Sequence, residues 1–343
     1  MMDLLSVKNV SVRFAQHRSL LDMVARRARN DLVAVDNATL RVGPGETLGL
    51  VGESGCGKTT LGRAMLGLVP RSAGEVSFDG EDIDTRMRTD LLSFRRGVQM
   101  VFQDPFASLN PKMSVGDALA EVLQVHRMCP PSQIKHRVDD LLRTVGLSPD
   151  LADRRPRALS GGQCQRIGIA RALAVEPKMI VADEAVSALD VSVQAQILNL
   201  LADLQRQRNL AMVFISHDLS VVRHICERVA VMYLGRIVEM GATQDVFDAP
   251  RHPYTKALLA AKLRMGGPKL QETELLPGEP PSPLAVPAGC AFHPRCAQAM
   301  PQCRAGNAPE LIGHGMQGVA CHLYTGAEEA VQARPKAALS AGG

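Results

Sequence analysis

The run Gly52-Glu53-Ser54-Gly55-Cys56-Gly57-Lys58-Thr59 has the spacing of a phosphate-binding loop, GxxxxGK[ST]. Glycines let successive backbone N–H groups turn inward around an anion. A helix opening with Lys58, Thr59 and Thr60 adds the partial positive charge of its N-terminus. Lys58 can reach the β- and γ-phosphates of a nucleotide, and the Thr59 hydroxyl can ligate Mg²⁺. An acidic pair follows 125 residues after Lys58, at the end of the apolar run MIVADE. Asp183 is placed there to hold Mg²⁺ through water, and Glu184 to orient or deprotonate an attacking water. A second anion cradle is written in Ser160-Gly161-Gly162-Gln163, where a hydroxyl and two glycines precede a helical pattern.

The eight cysteines fall into two groups. Cys56, Cys129, Cys164 and Cys226 are scattered, as reduced thiols are in a cytosolic protein. Cys290, Cys296, Cys303 and Cys321 crowd into 32 residues, separated by five, six and seventeen. Four thiolates suit an iron–sulfur cluster or zinc. Zinc sites more often use a C-x₂-C knuckle, which this group lacks, and metal-free thiols are a third reading.

The elements that must position these residues are legible in the periodicity. Short strands joined by turns fill the first fifty residues, including VAVDNATLRV and ETLGLV around the turn Gly43-Pro44-Gly45. A helix is predicted from near Gly57 to before Pro70, then GEVSFDGEDI as strand and turn, and VQMVF (98–102) as a buried strand. GDALAEVLQVH and IKHRVDDLLRTVG carry three-and-four spacing and predict a helical insertion over about 104–157. MIVAD, AMVFIS and VAVMY alternate with helices, which predicts a mostly parallel sheet. Past Tyr254 the pattern is expected to dissolve, with five prolines over 277–290 and an Ala/Gly-rich end.

Bulk properties exclude several classes. No Trp, three Tyr and eight Phe leave few platforms for base stacking, and a net charge of +4 is no nucleic-acid footprint. The start, MMDLLSVKNVSVRF, reads as a strand and predicts no secretory signal. No run approaches the roughly 18–20 apolar residues of a spanning helix. If the protein acts at a membrane, other chains must hold it there.

Leu159-Ser160-Gly161-Gly162-Gln163 followed by a helix resembles the signature of ABC ATPases, over a resemblance spanning roughly residues 4–325. VFQDPFASLNP, SGGQCQRIGIARAL, VSALDVSVQAQILNLL, FISHDLSVV and PRHPYTKALLAA are similar to the oligopeptide/dipeptide/nickel permease ATPases, and Cys164 and Ala185 look like their F-type subunit. The fold implied is an α/β P-loop NTPase of ABC type with a helical subdomain and a small irregular Cys-containing extension. Its implied divisions are an ATPase domain over 1–255, an extension over 256–325 and a flexible tail over 326–343. Carried over by resemblance, Gln103 contacts Mg²⁺, His217 contacts the γ-phosphate, Asp190 crosses a dimer seam, and Phe14 stacks on adenine. The resemblance also implies ATP sandwiched between the loop of one chain and the Ser160–Gln163 cradle of another. The expected assembly is a second, different ATPase chain, two transmembrane permease subunits and an extracytoplasmic peptide-binding protein at the cytoplasmic membrane face, with no nucleic acid. Family members with these four cysteines imply a [4Fe–4S] cluster at Cys290, Cys296, Cys303 and Cys321.

Overall fold

The computed structural model describes residues 3–15, 31–263, 278–313 and 317–324. Its strands form two sheets. In the smaller, β1 (Leu5–Phe14), β2 (Leu32–Val42), β4 (Ala73–Phe78) and β5 (Glu81–Asp82) pair antiparallel in the order β2-β1-β4-β5. In the larger, β3 (Thr47–Val51), β6 (Val98–Val101), β7 (Met179–Asp183), β8 (Ala211–Ser216) and β9 (Arg228–Tyr233) pair in parallel as β9-β3-β8-β7-β6. Antiparallel β10 (Arg236–Ala242) and β11 (Gly318–Val319) extend it past β9, so the last described segment is stitched onto the main sheet.

Unbroken apolar runs make parallel strands because both faces are covered. β8 shows the division: Ala211, Val213 and Ile215 enter one core, Met212 and Phe214 the other, with the period of two that a pleat imposes. The small sheet, α1 (Lys58–Met65), α2 (Ile83–Thr89) and α3 (Leu91–Gly97) contribute to the first core. The second lies under α4 (Val115–Val125), α5 (Ile134–Thr144), α6 (Gly161–Leu173), α7 (Val191–Arg208), α8 (Leu219–Ile225) and α9 (Thr243–Asp248). α4 and α5 are helices that the three-and-four spacing predicts, and they bury Leu119, Leu123, Val138, Leu141 and Leu142. A reciprocal cap between Ser114 and Asp117 fixes where α4 starts.

The loss of pattern expected past Tyr254 comes later in the chain. α10 (Pro253–Leu263) begins there, with proline at its first position, where no N–H is missed. Tyr254, Leu258 and Leu259 turn into the core. The chain from 278 onward is irregular apart from short turns at His293–Arg295 and Pro301–Cys303 and the strand β11. Among the described residues no helix is long and apolar enough to cross a membrane. The end from 325 lies outside the described residues.

Candidate active site

The strand order sets the carboxyl ends of β3, β8, β7 and β6 side by side, the edge where open α/β sheets bind ligands. Each end is followed by a residue singled out above: Gly52 after β3, His217 after β8, Glu184 after β7 and Gln103 shortly beyond β6.

The phosphate loop is built as its glycines require. Gly57 has φ 103°, and a Cβ there would lie 2.1 Å from the Ala34 carbonyl oxygen. A Cβ on Gly52 would meet the Met232 carbonyl oxygen at 2.2 Å, whereas one on Gly55 would face open space. The loop is therefore pressed onto β2 and β9 at both ends and open at its tip, where Ser54 and Gly55 are exposed. Lys58, only 5% exposed, donates from Nζ to the carbonyls of Gly52 and Glu53, each at 2.9 Å. No side chain caps α1, so the donors of its first turn, on Lys58, Thr59 and Thr60, belong to the loop. Burial pushes the Cys56 thiol upward against the pull of Lys58, so Cys56 enters the loop as a neutral side chain.

The acidic pair sits across from α1. Thr59 Oγ1 donates to Asp183 Oδ1 at 2.8 Å, bringing together two oxygens suited to a hard cation. Asp183 is 3% exposed, and burial raises its carboxyl above the ordinary range while the Thr59 bond opposes the shift. Glu184 takes a left-handed backbone, φ 45°, and its N–H donates to the Ile215 carbonyl of the neighbouring strand. That turn aims its carboxylate at two partners. Gln103 Nε2 donates to Glu184 Oε2 at 3.0 Å, and His217 Nδ1 lies 3.4 Å from the same oxygen. Gln103 also reaches Ser187 Oγ at 3.4 Å. The structure thus gathers Thr59, Gln103, Asp183, Glu184 and His217 around one spot. Phe14 ends β1, 40% exposed and opposite Leu32.

The second cradle forms the start of α6. Ser160 Oγ accepts from the Gln163 N–H at 3.3 Å, and Gln163 Oε1 accepts from the Ser160 N–H at 3.0 Å. Gly161 and Gly162 let this end approach the start of α7: a Cβ on Gly162 would lie 2.5 Å from Val193 Cγ1. Asp190 stands exposed before α7, and its side chain makes no cap bond.

Glu53, in the first half of the loop, is held from outside it. Its carboxylate pairs with Arg295, Oε2 at 2.8 Å from Nη1 and Oε1 at 3.1 Å from Nη2. Its N–H donates to the Tyr254 hydroxyl at 2.9 Å. The match with a buried guanidinium is bidentate and engages both carboxylate oxygens. Tyr254 and Arg295 are functional candidates that sequence reasoning does not reach. PRHPYTKALLAA marks the segment of Tyr254, but no local signal names its partner.

The four clustered cysteines do come near one another, since Cys296, Cys303 and Cys321 all act on the Cys290 thiol. Burial is the main cause that pushes Cys290 up to about 11, with those neighbours adding to it. Among the described residues, however, no group of three or more His, Cys, Asp or Glu side chains could hold a metal ion. The expected cluster is therefore unsupported by the geometry. Cys303 and Cys321 are buried, and Cys290 and Cys296 lie against the core that holds Phe292.

A phosphate loop, a strand-end acidic pair and a doubly wound parallel sheet define an ATP-hydrolysing P-loop enzyme. Residues 35–187 match the family described as ABC transporter, and residues 238–303 match the oligopeptide/dipeptide transporter C-terminal region. The chain is 51% identical over 290 residues to a probable peptide ABC transporter ATP-binding protein, y4tS, of Sinorhizobium fredii, covering 84% of this chain and 82% of that one. It is 50% identical to the oligopeptide transport ATP-binding protein OppF of Salmonella typhimurium, covering 84% and 87%. Against the corresponding AppF of Bacillus subtilis the identity is 48%, covering 88% and 92%. Among solved structures, cbiO1 of Clostridium perfringens, part of the transporter complex cbiONQ, superposes with a TM-score of 0.61 at 28% identity, over 73% of this chain and 92% of that one. The cassette MJ0796, as a dimer bound to ADP and phosphate, gives 0.60 at 26%, over 70% and 98%. The chain belongs to the ATP-binding proteins of ABC transporters, within the branch that carries the oligopeptide/dipeptide C-terminal region.

Proposed function

We propose that this chain hydrolyses ATP as one half of an ATPase pair that drives peptide uptake. The observation that carries the chemistry is the convergence of Gln103 and His217 on Glu184, next to the Thr59–Asp183 contact. ATP lies with its phosphates in the loop Gly52–Thr60 and its adenine against Phe14. Thr59, Asp183 and Gln103 would hold Mg²⁺, which would supply positive charge against that of the phosphates. Glu184 takes a proton from the water that attacks the γ-phosphorus, while the bond to ADP breaks. Gln103 fixes the carboxylate of Glu184, and His217 would contact the γ-phosphate.

Ser160, Gly161, Gly162 and Gln163 close the nucleotide held by the other chain of the pair, and Asp190 crosses the seam. The relatives' names support peptides as the cargo class, and the resemblance implies the partners: a second, different ATPase chain, two permease subunits and an extracytoplasmic peptide-binding protein. The site is the cytoplasmic face of the membrane. A cleft of about 230 Å³, lined by Gln99, Phe102, Val122, His126, Gln165 and Arg171, supports docking of a permease beside the helical insertion 104–157. The ATPase domain is assigned to 1–255, the extension to 256–325 and a tail to 326–343. A [4Fe–4S] cluster on the four cysteines rests on resemblance alone. Anaerobic purification with iron, sulfide and zinc analysis decides among cluster, zinc and free thiols, and leaves the ATPase reading untouched.

The test is the assembled transporter in proteoliposomes. Peptide with its binding protein should stimulate phosphate release and peptide accumulation, and Lys58→Ala should abolish both. Accumulation that survives Lys58→Ala, or phosphate release without accumulation, overturns the proposal.

A further inference from the structure

The C-terminal extension reaches the phosphate loop directly. Arg295 lies 242 residues beyond Glu53, yet its guanidinium makes both bonds of a fork onto the Glu53 carboxylate. The Arg295 side chain is 5% exposed and that of Glu53 is 23% exposed, so the pair is shielded on the extension side. The main chain of the same residue is held separately, because the Glu53 N–H donates to the Tyr254 hydroxyl.

Both grips stand on rigid supports. Tyr254 is fully buried, and its ring packs tilted against Tyr233 at 4.7 Å and edge-on against Phe292 at 5.5 Å. Its N–H donates to His252 Nδ1 at 3.0 Å, and the His252 N–H donates to the buried carboxylate of Glu239 on β10 at 2.9 Å. Arg295 belongs to the short turn that follows Phe292, and its guanidinium lies 5.9 Å from the Tyr233 ring centre. β11 and the Ala320 N–H bond to Val238 tie the far end of the extension to β10 as well. The first half of the phosphate loop thus sits between β3 and a wall made by the extension.

We propose that Arg295 and Tyr254 are positioning residues for ATP: through Glu53 they hold the loop in its phosphate-binding shape, so the docked extension sets nucleotide affinity. The proposal rests on the loop's being the ATP site. It predicts an effect on binding and little effect on the chemical step, because the bonds described for both residues run to Glu53. Loss of a bidentate clamp that orders a ligand loop is expected to weaken binding by about tenfold, within the usual span of coupling between linked sites.

The experiment uses the full chain with its partner ATPase and measures KM, kcat and nucleotide affinity. Arg295→Met keeps the apolar stem and removes the fork, and Tyr254→Phe removes a single hydroxyl. Arg295→Met should raise KM for ATP by about tenfold, and Tyr254→Phe by about threefold, with kcat within about twofold of wild type. Arg295→Lys, which keeps the charge without the fork, should recover part of the loss. Glu53→Gln in the Arg295→Met background should add almost nothing, since the contact is already gone. Unchanged KM in both Arg295→Met and Tyr254→Phe overturns the proposal, as does a fall confined to kcat. If Arg295→Met does not fold, Tyr254→Phe and Arg295→Lys carry the same comparison. A wild-type chain without saturable ATP binding would sink the ATP-site reading itself, and is distinguished by that control.

Discussion

Glu184→Gln isolates the proposed base with little change of shape. The Gln103 bond can persist through the amide oxygen, and the left-handed turn at residue 184 is as tolerable for Gln as for Glu. What disappears is the negative charge 3.4 Å from His217 Nδ1 and the ability to accept a proton from water. General base catalysis contributes about 10²–10⁴ in rate. At about 1.36 kcal/mol per decade this is about 2.7–5.4 kcal/mol of barrier. Because Gln103 and His217 both converge on this carboxylate, its loss also frees the attacking water, so the upper half of that range is expected. ATP affinity should stay within about twofold of wild type, since the Glu184 carboxylate is engaged by Gln103 and His217. Phosphate release at saturating ATP, a nucleotide titration and a thermal melt on the same sample separate these effects. Turnover within about threefold of wild type, with nucleotide bound, would refute the assignment.

Gly57→Ala should abolish nucleotide binding and lower the melting temperature, because its Cβ would press on the Ala34 carbonyl at a left-handed φ; a nucleotide titration showing wild-type affinity would contradict this. Asp183 binds its proton more tightly folded than unfolded, so its contribution to stability is greatest at low pH and declines as pH rises through the folded value. Nucleotide-free Asp183→Asn should therefore melt at or above wild type near about pH 7.5, with the difference shrinking toward about pH 4, while ATPase activity is lost; a lower melting temperature at neutral pH would count against it. His252 shows the opposite sign: burial lowers it from 6.5 to about 4, so the stability it allows is complete above 6.5 and is lost as pH falls toward 4. The effect approaches about 3 kcal/mol at the acid end. His252→Gln should flatten the fall of melting temperature with acid, and equal slopes would place that sensitivity elsewhere.

Much of the catalytic edge was legible because its residues are read locally. The loop needs glycines at fixed offsets, and the acidic pair needs an apolar strand before it, so Gly52–Thr59 and Asp183–Glu184 announce their own context. His217 and Gln103 carry no such grammar. Their order along the chain placed them, and only the strand order β3-β8-β7-β6 shows that both meet Glu184. α10 was hidden because PYTKALLAAKL is too evenly apolar to show a face, and its proline reads as a breaker although it sits harmlessly at the first turn. The Glu53–Arg295 pair is not legible, because the loop's pattern treats residue 53 as filler and a contact 242 residues away leaves no periodic trace. The four cysteines were legible as neighbours and not as ligands, since spacing gives proximity along the chain without fixing where each thiol points.

The reciprocal cap at Ser160 and Gln163 bears on how two such chains would meet. A helix end built to receive an anion ordinarily shows water a fringe of unsatisfied donors, which could recruit stray phosphate or another backbone. Here the Ser160 and Gln163 N–H groups are occupied by the motif's own side chains. The lone chain thus keeps its recognition surface folded and partly masked. Encounter becomes an exchange of hydrogen bonds between preformed surfaces, without a folding step at the seam. In kinetic terms, the rate at which the pair forms would be governed by diffusion and orientation, and the nucleotide's influence would fall mainly on how long the pair lasts.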